Sequence, residues 1–428
     1  MSTIFALASG RGRAGVAVIR ISGLLSHHIV VMMCGDLPPL RTAALRKLIW
    51  DTEILDEALI LVFAQGASFT GEQSAELHVH GGQAVIEAIF SVLRSFPDVR
   101  LAEPGEFTRR ALENGNLELY QVEGLVDLID AETAAQHKQA QRMLQGQLAV
   151  RVQEWRSALL GITALVEVTI DFADEDVPSD IWPEVLRRLS DLCNSLAADL
   201  NGAKAAERIR TGFEVAIFGP PNVGKSSLVN ALVCRDVAIT SEIAGTTRDI
   251  IEVRLDLEGL PVTLLDTAGL RESDDRVEQE GVRRARQRVD DADMRIVVLD
   301  RDHAAWDPGF EPDFIVSSKA DLGWVLDGAI PVSTKANTGV DVLRQRISEK
   351  LHQIAGVAGV VVNERHRAGV ASSLLSLREA ILAIDGGQDA ELIASQLRDA
   401  RRFLEALVGR IGVEDVLSEI FGRFCIGK

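Results

Sequence analysis

One eight-residue stretch constrains this chain more than any other. Gly219–Ser226 reads GPPNVGKS and stands between a β-prone apolar run, Phe213–Phe218, and a helix-forming run, Ser227–Val233. This is the G-x-x-x-x-G-K-[ST] pattern in the strand–loop–helix context it requires. Glycines let backbone N–H groups turn inward around phosphate oxygens, and the start of the following helix adds partial positive charge. Lys225 is placed to reach the outer phosphates and the Ser226 hydroxyl to bind Mg²⁺. Asn222, Val223, Gly224 and Ser227 fill out the same cradle. From residue 212 to about 350 the pattern runs strand, loop, helix, which predicts an α/β domain around the loop.

Three further motifs make the cradle specific. Val262–Gly269 (VTLLDTAG) reads as a strand ending in Asp266, which can hold Mg²⁺ through water. Thr267 and Ala268 lead to Gly269, whose N–H can meet a γ-phosphate. Between the two motifs, Ala244–Asp249 (AGTTRD) offers a threonine that can close on Mg²⁺ only when the γ-phosphate is present, a candidate switch. Ser317–Asp321 (SSKAD) follows the strand Phe314–Val316. There Asp321 can accept from guanine N1–H and N2–H, which adenine cannot supply, while Lys319 lies along the base plane beside Ala320. Val332–Lys335, with Ser333, Thr334 and Lys335, places a backbone N–H near guanine O6. This is the motif order of the translation-factor class of GTPases, over about 140 residues. Two positions depart from it. Ser318 stands where most GTPases carry Asn, and a hydroxyl makes fewer contacts than an amide. Leu270 stands where many place a water-orienting Gln, so catalysis must be assembled differently.

The rest of the chain carries its own pattern. Its 428 residues predict about three domains. Residues 1–115 mix β-rich runs such as Val16–Ser22 and Ala58–Phe63 with turns. Residues from about 117 to 208, and again from about 364 to the end, show apolar residues at three- and four-residue spacing, as helices do. The predicted fold is multidomain α/β: an N-terminal α+β domain (1–115) and an all-α helical domain in two parts (116–211, 352–428). A Ras-like P-loop domain (212–351) is inserted between the two parts, which then pack together. No apolar run reaches the roughly 18 residues of a membrane span. The N-terminus lacks a secretory pattern and the four cysteines are scattered, which predicts a cytoplasmic protein without a disulfide framework. A formal charge of −18 repels nucleic acid, so contact with RNA would run through a local basic patch or another protein. The cluster Arg283, Arg284, Arg286 and Arg288 reads as a solvated helix face.

Four blocks outside the nucleotide motifs carry a family resemblance. They are Gly12–Gly23 (GRAGVAVIRISG); Ser68–Glu72 (SFTGE) with Glu76–Gly82 (ELHVHGG); Ala102–Arg110 (AEPGEFTRR); and the terminal Phe424–Lys428 (FCIGK). Through them the chain resembles the MnmE (TrmE) family of bacterial tRNA-modifying GTPases over essentially its whole length. The resemblance implies a homodimer paired through the N-terminal domain, which also binds 5,10-methylenetetrahydrofolate or 5-formyltetrahydrofolate. It implies a heterotetramer with the FAD protein MnmG that installs a carboxymethylaminomethyl or aminomethyl group on the wobble uridine of certain tRNAs. GTP and Mg²⁺ act in the G domains, which associate across the dimer with K⁺ where other systems use an arginine finger. It further implies that Asn222 holds K⁺, with Ser241, Ile243 and Thr246 completing the shell. Glu242, Ala244 and Gly245 complete that nucleotide-binding segment, Thr247 is the second Mg²⁺ ligand, and Glu278 positions the attacking water. Arg20, Glu76 and Lys428 match folate-contacting positions; Asn116 stands where some members have Lys.

Other signals in the sequence have plainer readings. Gly10–Gly15 fits G-x-G-x-x-G, but a β-branched run follows instead of a helix, so a turn is expected and a dinucleotide site is not. His78 and His80 share one face of a strand, with no third ligand at metal spacing, and read as hydrogen-bonded histidines. Cys425 is either a core thiol or a folate neighbour, and Glu278 taken alone could be a surface acid. Two competing functions are an RNA- or ribosome-binding assembly switch, disfavoured by the acidic balance, and a folate-responsive scaffold with slow GTPase activity.

Overall fold

Alternation of apolar and polar residues builds the first sheet. In the computed structural model, which describes residues 2–10, 12–171, 181–233, 251–266, 289–409, 421, 422, 424 and 427, the chain forms two compact units. One comprises residues 1–126 with 408–428, the other residues 127–407.

In the first unit the strands are β1 (Thr3–Leu7), β2 (Ala14–Ser22), β3 (Ala44–Trp50), β4 (Glu53–Phe63), β5 (Ser74–Gly81) and β6 (Val99–Leu101). They lie in the order β3-β4-β5-β2-β1-β6, antiparallel except for the β1–β6 pair. Ala17, Ile19 and Ile21 of β2 face the same core as Ala75, Leu77 and Val79 of β5. Helices α1 (Ser26–Cys34) and α2 (Gln83–Ser95) close that core with Ile29, Met33, Ile89 and Leu93. Period two sends the alternate residues, Arg20 and Glu76 among them, to the opposite face, where they are directly paired in register. Helix α3 (Glu106–Glu113) places Phe107 against Ile4 and Ala6, and Phe421 and Phe424 pack with Val122 of α4 (Leu119–Ile129).

The second unit begins with α5 (Ala134–Leu144), opened by a Thr133–Gln136 capping box, then α6 (Gln147–Asp171) and α7 (Trp182–Thr211). Gly212 alone separates α7 from β7 (Phe213–Phe218). After α8 (Lys225–Val233) come β8 (Ile251–Leu257), β9 (Leu260–Asp266), β10 (Met294–Leu299), β11 (Phe314–Ser317) and β12 (Ile330–Pro331), then α9 (Val340–Ala355), α10 (Glu364–Asp385) and α11 (Ala390–Leu407). The second sheet runs β12-β11-β10-β7-β9-β8, parallel but for the β8–β9 hairpin. Its near-continuous apolar strands suit burial on both faces.

The helices on either side of this sheet in sequence meet in space. Trp155 and Leu159 of α6, Leu189 and Leu196 of α7, Leu377 of α10 and Leu397 and Leu404 of α11 are all buried, and Arg156 of α6 pairs with Glu405 of α11 at 3.1 Å. Where the chain leaves α9 it crosses α7 at Gly202, at which a Cβ would lie 2.5 Å from the Val357 carbonyl oxygen. The α/β portion is thus inserted into a helical assembly.

Candidate functional site

The phosphate-loop motif leaves the carboxyl end of β7, which is flanked by the parallel strands β10 and β9. Open α/β sheets bind ligands at that end. The loop must pass close over β10. A Cβ on Gly219 would sit 2.3 Å from the Val298 carbonyl oxygen, and φ there is 150°, so glycine is the residue that fits. Asn222 adopts a left-handed φ of 63°, a conformation Asn tolerates better than most residues. Its side chain is exposed and makes no hydrogen bond among the described residues.

Lys225 is 7% exposed, and its ammonium donates to the Gly219 and Pro220 carbonyls at 2.8 and 3.0 Å. Burial pushes its pKa below the usual lysine value, with the Asp266 carboxylate opposing the shift. Ser226 Oγ donates to Asp266 Oδ2 at 2.7 Å. A hydroxyl and a carboxylate thus converge at the carboxyl end of β9, a hard-oxygen pair that fits Mg²⁺.

The base-recognition segment is tied to the same loop. Ser318 Oγ lies 2.7 Å from the Val223 carbonyl oxygen and 3.1 Å from that of Leu299. Lys319, itself at φ 55°, donates to the Asn222 carbonyl at 3.2 Å and to Asp300 Oδ2 at 2.7 Å. Asp300 also accepts from His303 Nδ1 at 2.7 Å; burial alone would raise its carboxyl, but the hydrogen bonds from Lys319 and His303 hold it below the usual aspartate value. Ser333 Oγ donates to Asp321 Oδ1 at 2.5 Å, and the Ala320 N–H donates to the Val332 carbonyl at 3.2 Å, so the segments at 317–321 and 332–335 form one surface. Asp300 was not singled out from the sequence. Its position just after an apolar strand, Met294–Leu299, was the available signal.

A second concave site lies in the other unit. A cavity of about 320 Å³ is lined by Arg20, Arg41, Phe63, Ala67, Ser68, Phe69, Thr70, Ser74 and Glu76. Arg20 Nε donates to Glu76 Oε1 at 3.0 Å, and its guanidinium lies 5.6 Å from the Phe69 ring centre. Asn116 Nδ2 donates to the Ser68 and Phe69 carbonyls at 2.9 and 3.2 Å, pinning the cavity rim. Beneath the rim, Ser22 Oγ contacts Thr70 Oγ1 and Glu72 Oε2, each at 2.7 Å. Buried Arg110 bridges Glu72 (3.0 Å) and Glu106 (2.9 Å), and Arg100 Nη2 reaches Glu106 at 2.6 Å. Burial alone would raise the Glu106 pKa, but hydrogen bonds from Arg100, the Glu103 N–H and Arg110 hold it at about 2. This network joins three of the sequence blocks, Gly12–Gly23, Ser68–Glu72 and Ala102–Arg110.

His78 and His80 lie on β5, at 3.4 Å from Glu76 and 2.7 Å from Asp56 respectively. Gly10–Gly15 leads into β2, a strand. Ser241, Glu242, Ile243, Ala244, Gly245, Thr246, Thr247, Thr267, Ala268, Gly269, Leu270, Glu278, Cys425 and Lys428 lie outside the described residues, as does the arginine cluster at 283–288.

Known proteins match the chain along its length. The family description "GTP-binding protein TrmE N-terminus" matches residues 3–116, and "MnmE helical domain" matches residues 119–425. A tRNA modification GTPase MnmE of Cereibacter sphaeroides is 53% identical over 433 residues, covering 100% of both chains. Those of Dinoroseobacter shibae and Parvibaculum lavamentivorans are 50% and 46% identical, again over 100% of each chain. Among solved structures, the G domain of the T. maritima FeoB iron transporter covers 32% of this chain and 97% of its own, at 23% identity and a TM-score of 0.24. Full-length identity near one half and two family matches that together span the chain lead to one conclusion: this chain belongs to the MnmE (TrmE) family of tRNA modification GTPases.

Proposed function

We propose that this GTPase is potassium-stimulated and works in the cytoplasm, as a homodimer with MnmG, to modify the wobble uridine of certain tRNAs with a one-carbon tetrahydrofolate. The carrying observation is Asn222: its backbone is held in place by Lys319, while its side chain stands exposed at the phosphate loop with no hydrogen bond among the described residues. An amide oxygen there suits a weakly hydrated monovalent cation. When bound, K⁺ supplies positive charge where transition-state charge develops.

The chain's own residues divide the work in this reading. Lys225 holds the outer phosphates; Ser226 and Thr247 hold Mg²⁺, with Asp266 reaching it through water. Asp321 selects guanine, and Glu278 positions water in place of a Gln at Leu270. Ser241, Ile243 and Thr246 complete the potassium shell. GTP-driven pairing of the G domains (212–351) switches a helical domain (116–211, 352–428) and an N-terminal domain (1–115). The N-terminal domain takes its folate at Arg20, Glu76, Asn116 and Lys428. The 320 Å³ cavity beside Arg20 and Glu76 supports that assignment, because its volume falls in the range of small-molecule sites.

GTP turnover by the full chain, measured in K⁺ and in Na⁺ at equal ionic strength, tests the reading. Turnover is expected to rise sharply in K⁺, and Asn222→Ala to erase the difference. Equal turnover in both salts for the unmodified chain would refute potassium stimulation.

A further inference from the structure

The cavity of the N-terminal unit holds one cation more than it balances internally. Its lining carries two guanidinium groups, Arg20 and Arg41, and one carboxylate, Glu76. Arg20 is engaged, with Nη2 2.8 Å from Glu76 Oε1. The Arg41 side chain makes no ion pair or hydrogen bond among the described residues. Burying or closing over such a group without a counter-charge is unfavourable, so a ligand that fills the cavity should bring an acceptor to it.

The backbone at Arg41 points the same way. The loop turns tightly, with the Thr42 N–H donating to the Pro39 carbonyl at 3.2 Å, and the Arg41 N–H donates to the Val62 carbonyl at 2.8 Å. Arg41 has a φ of 56°, a left-handed conformation that glycine adopts without strain and that costs other residues on the order of 1 kcal/mol. A large cationic residue at such a position brings strain that a glycine would avoid. Strained backbone of this kind clusters at ligand clamps. Asn116, meanwhile, spends its donors on the rim carbonyls of Ser68 and Phe69 and adds no charge.

We propose that Arg41 is a ligand-binding residue of this cavity and holds the carboxylate end of the tetrahydrofolate. This inference rests on the folate reading above. A guanidinium fork matches a carboxylate through two parallel N–H···O bonds, whereas a pterin ring presents N–H groups that suit an acceptor such as Glu76.

The test measures binding of two probes to the full chain: 5-formyltetrahydrofolate, and 6-methyltetrahydropterin, which lacks the glutamyl carboxylates. Arg41→Gly is expected to weaken 5-formyltetrahydrofolate about tenfold or more, the worth of a charge-assisted hydrogen bond. It should leave the pterin fragment within about twofold, since no bond to that fragment is removed. Arg41→Lys should recover part of the loss. The melting temperature of Arg41→Gly should not fall, because glycine fits φ 56° better than arginine. Unchanged 5-formyltetrahydrofolate affinity in Arg41→Gly, or equal losses on both probes, overturns the role of Arg41 while leaving the folate reading intact. Failure of the unmodified chain to bind 5-formyltetrahydrofolate overturns both.

Discussion

Replacing Ser318 isolates what a hydroxyl can and cannot do where other GTPases carry an amide. Its oxygen lies 2.7 Å from the Val223 carbonyl and 3.1 Å from the Leu299 carbonyl, but a hydroxyl has one proton and serves one acceptor at a time. The shorter contact is the tether between the base-recognition segment and the phosphate loop. The tether pre-orders two segments that guanine nucleotide must touch together, so its loss adds an ordering cost to binding. Ser318→Ala removes the hydrogen bond and leaves a carbonyl short of a donor, which costs about 1–2 kcal/mol, or roughly 5- to 30-fold in affinity. Ser318→Asn supplies two N–H donors and can satisfy both carbonyls together. One added bond is worth about 1 kcal/mol, so guanine nucleotide should bind roughly fivefold tighter. Fluorescent GDP titration at fixed K⁺ and Mg²⁺, with dissociation rates by stopped flow, reads both variants. An affinity for Ser318→Ala within twofold of the parent would refute the tether; weaker binding by Ser318→Asn would refute the one-proton argument.

Two further expectations concern the scaffold. The Glu106 carboxyl, depressed from 4.5 to about 2, contributes about 3 kcal/mol that is fully present above pH 4.5 and is lost as pH falls toward 2. The first unit should therefore weaken across that window, and Glu106→Gln should flatten the dependence; the ¹⁹F signal of fluorotryptophan at Trp50, the one tryptophan of residues 1–126 and 408–428, would follow it, and an unchanged slope would count against the network. Gly219→Ala would drive a Cβ to 2.3 Å from the Val298 carbonyl at a φ of 150°, so nucleotide binding should be lost along with several degrees of melting temperature. A variant that binds GDP normally would show that the loop can shift away from β10.

Where structure is local, the sequence announces it. Phe213–Phe218 is expected as a strand from composition and is β7 to the residue, because a run of apolar and β-branched side chains has no helical face to present. The helix after the phosphate loop begins at Lys225, two residues ahead of the expected Ser227, since the loop's last residues already take helical backbone. The strand expected at Val16–Ser22 extends back to Ala14, and the one at Ala58–Phe63 back to Glu53, because pairing with a neighbour overrides weak local preference. The packing of the two helical segments is likewise expected, from their unpartnered apolar faces. What remained hidden is non-local. Ser22, Glu72 and Arg110 are separated by tens of residues, and no periodicity connects them, though they meet in one buried network. The link from Asp300 to Lys319 and the left-handed backbone at Arg41 are set by tertiary contacts in the same way.

The near-contact of Gly202 with the chain at Val357 bears on how the helical assembly is completed. Helices α6 and α7 emerge in synthesis well before α10 and α11, and cannot bury Leu189 or Leu196 against partners that do not yet exist. Closing an unstructured segment of about 140 residues would cost about 2 kcal/mol more than closing a short one. Once the inserted sheet folds, its two ends stand side by side, and that difference disappears. The nucleotide-binding insert is therefore expected to act as a splint on which the helical assembly is completed. A substitution that unfolds the insert should leave two amphipathic helix pairs exposed and unmatched, so damage near the phosphate loop should be felt as insolubility of the whole chain.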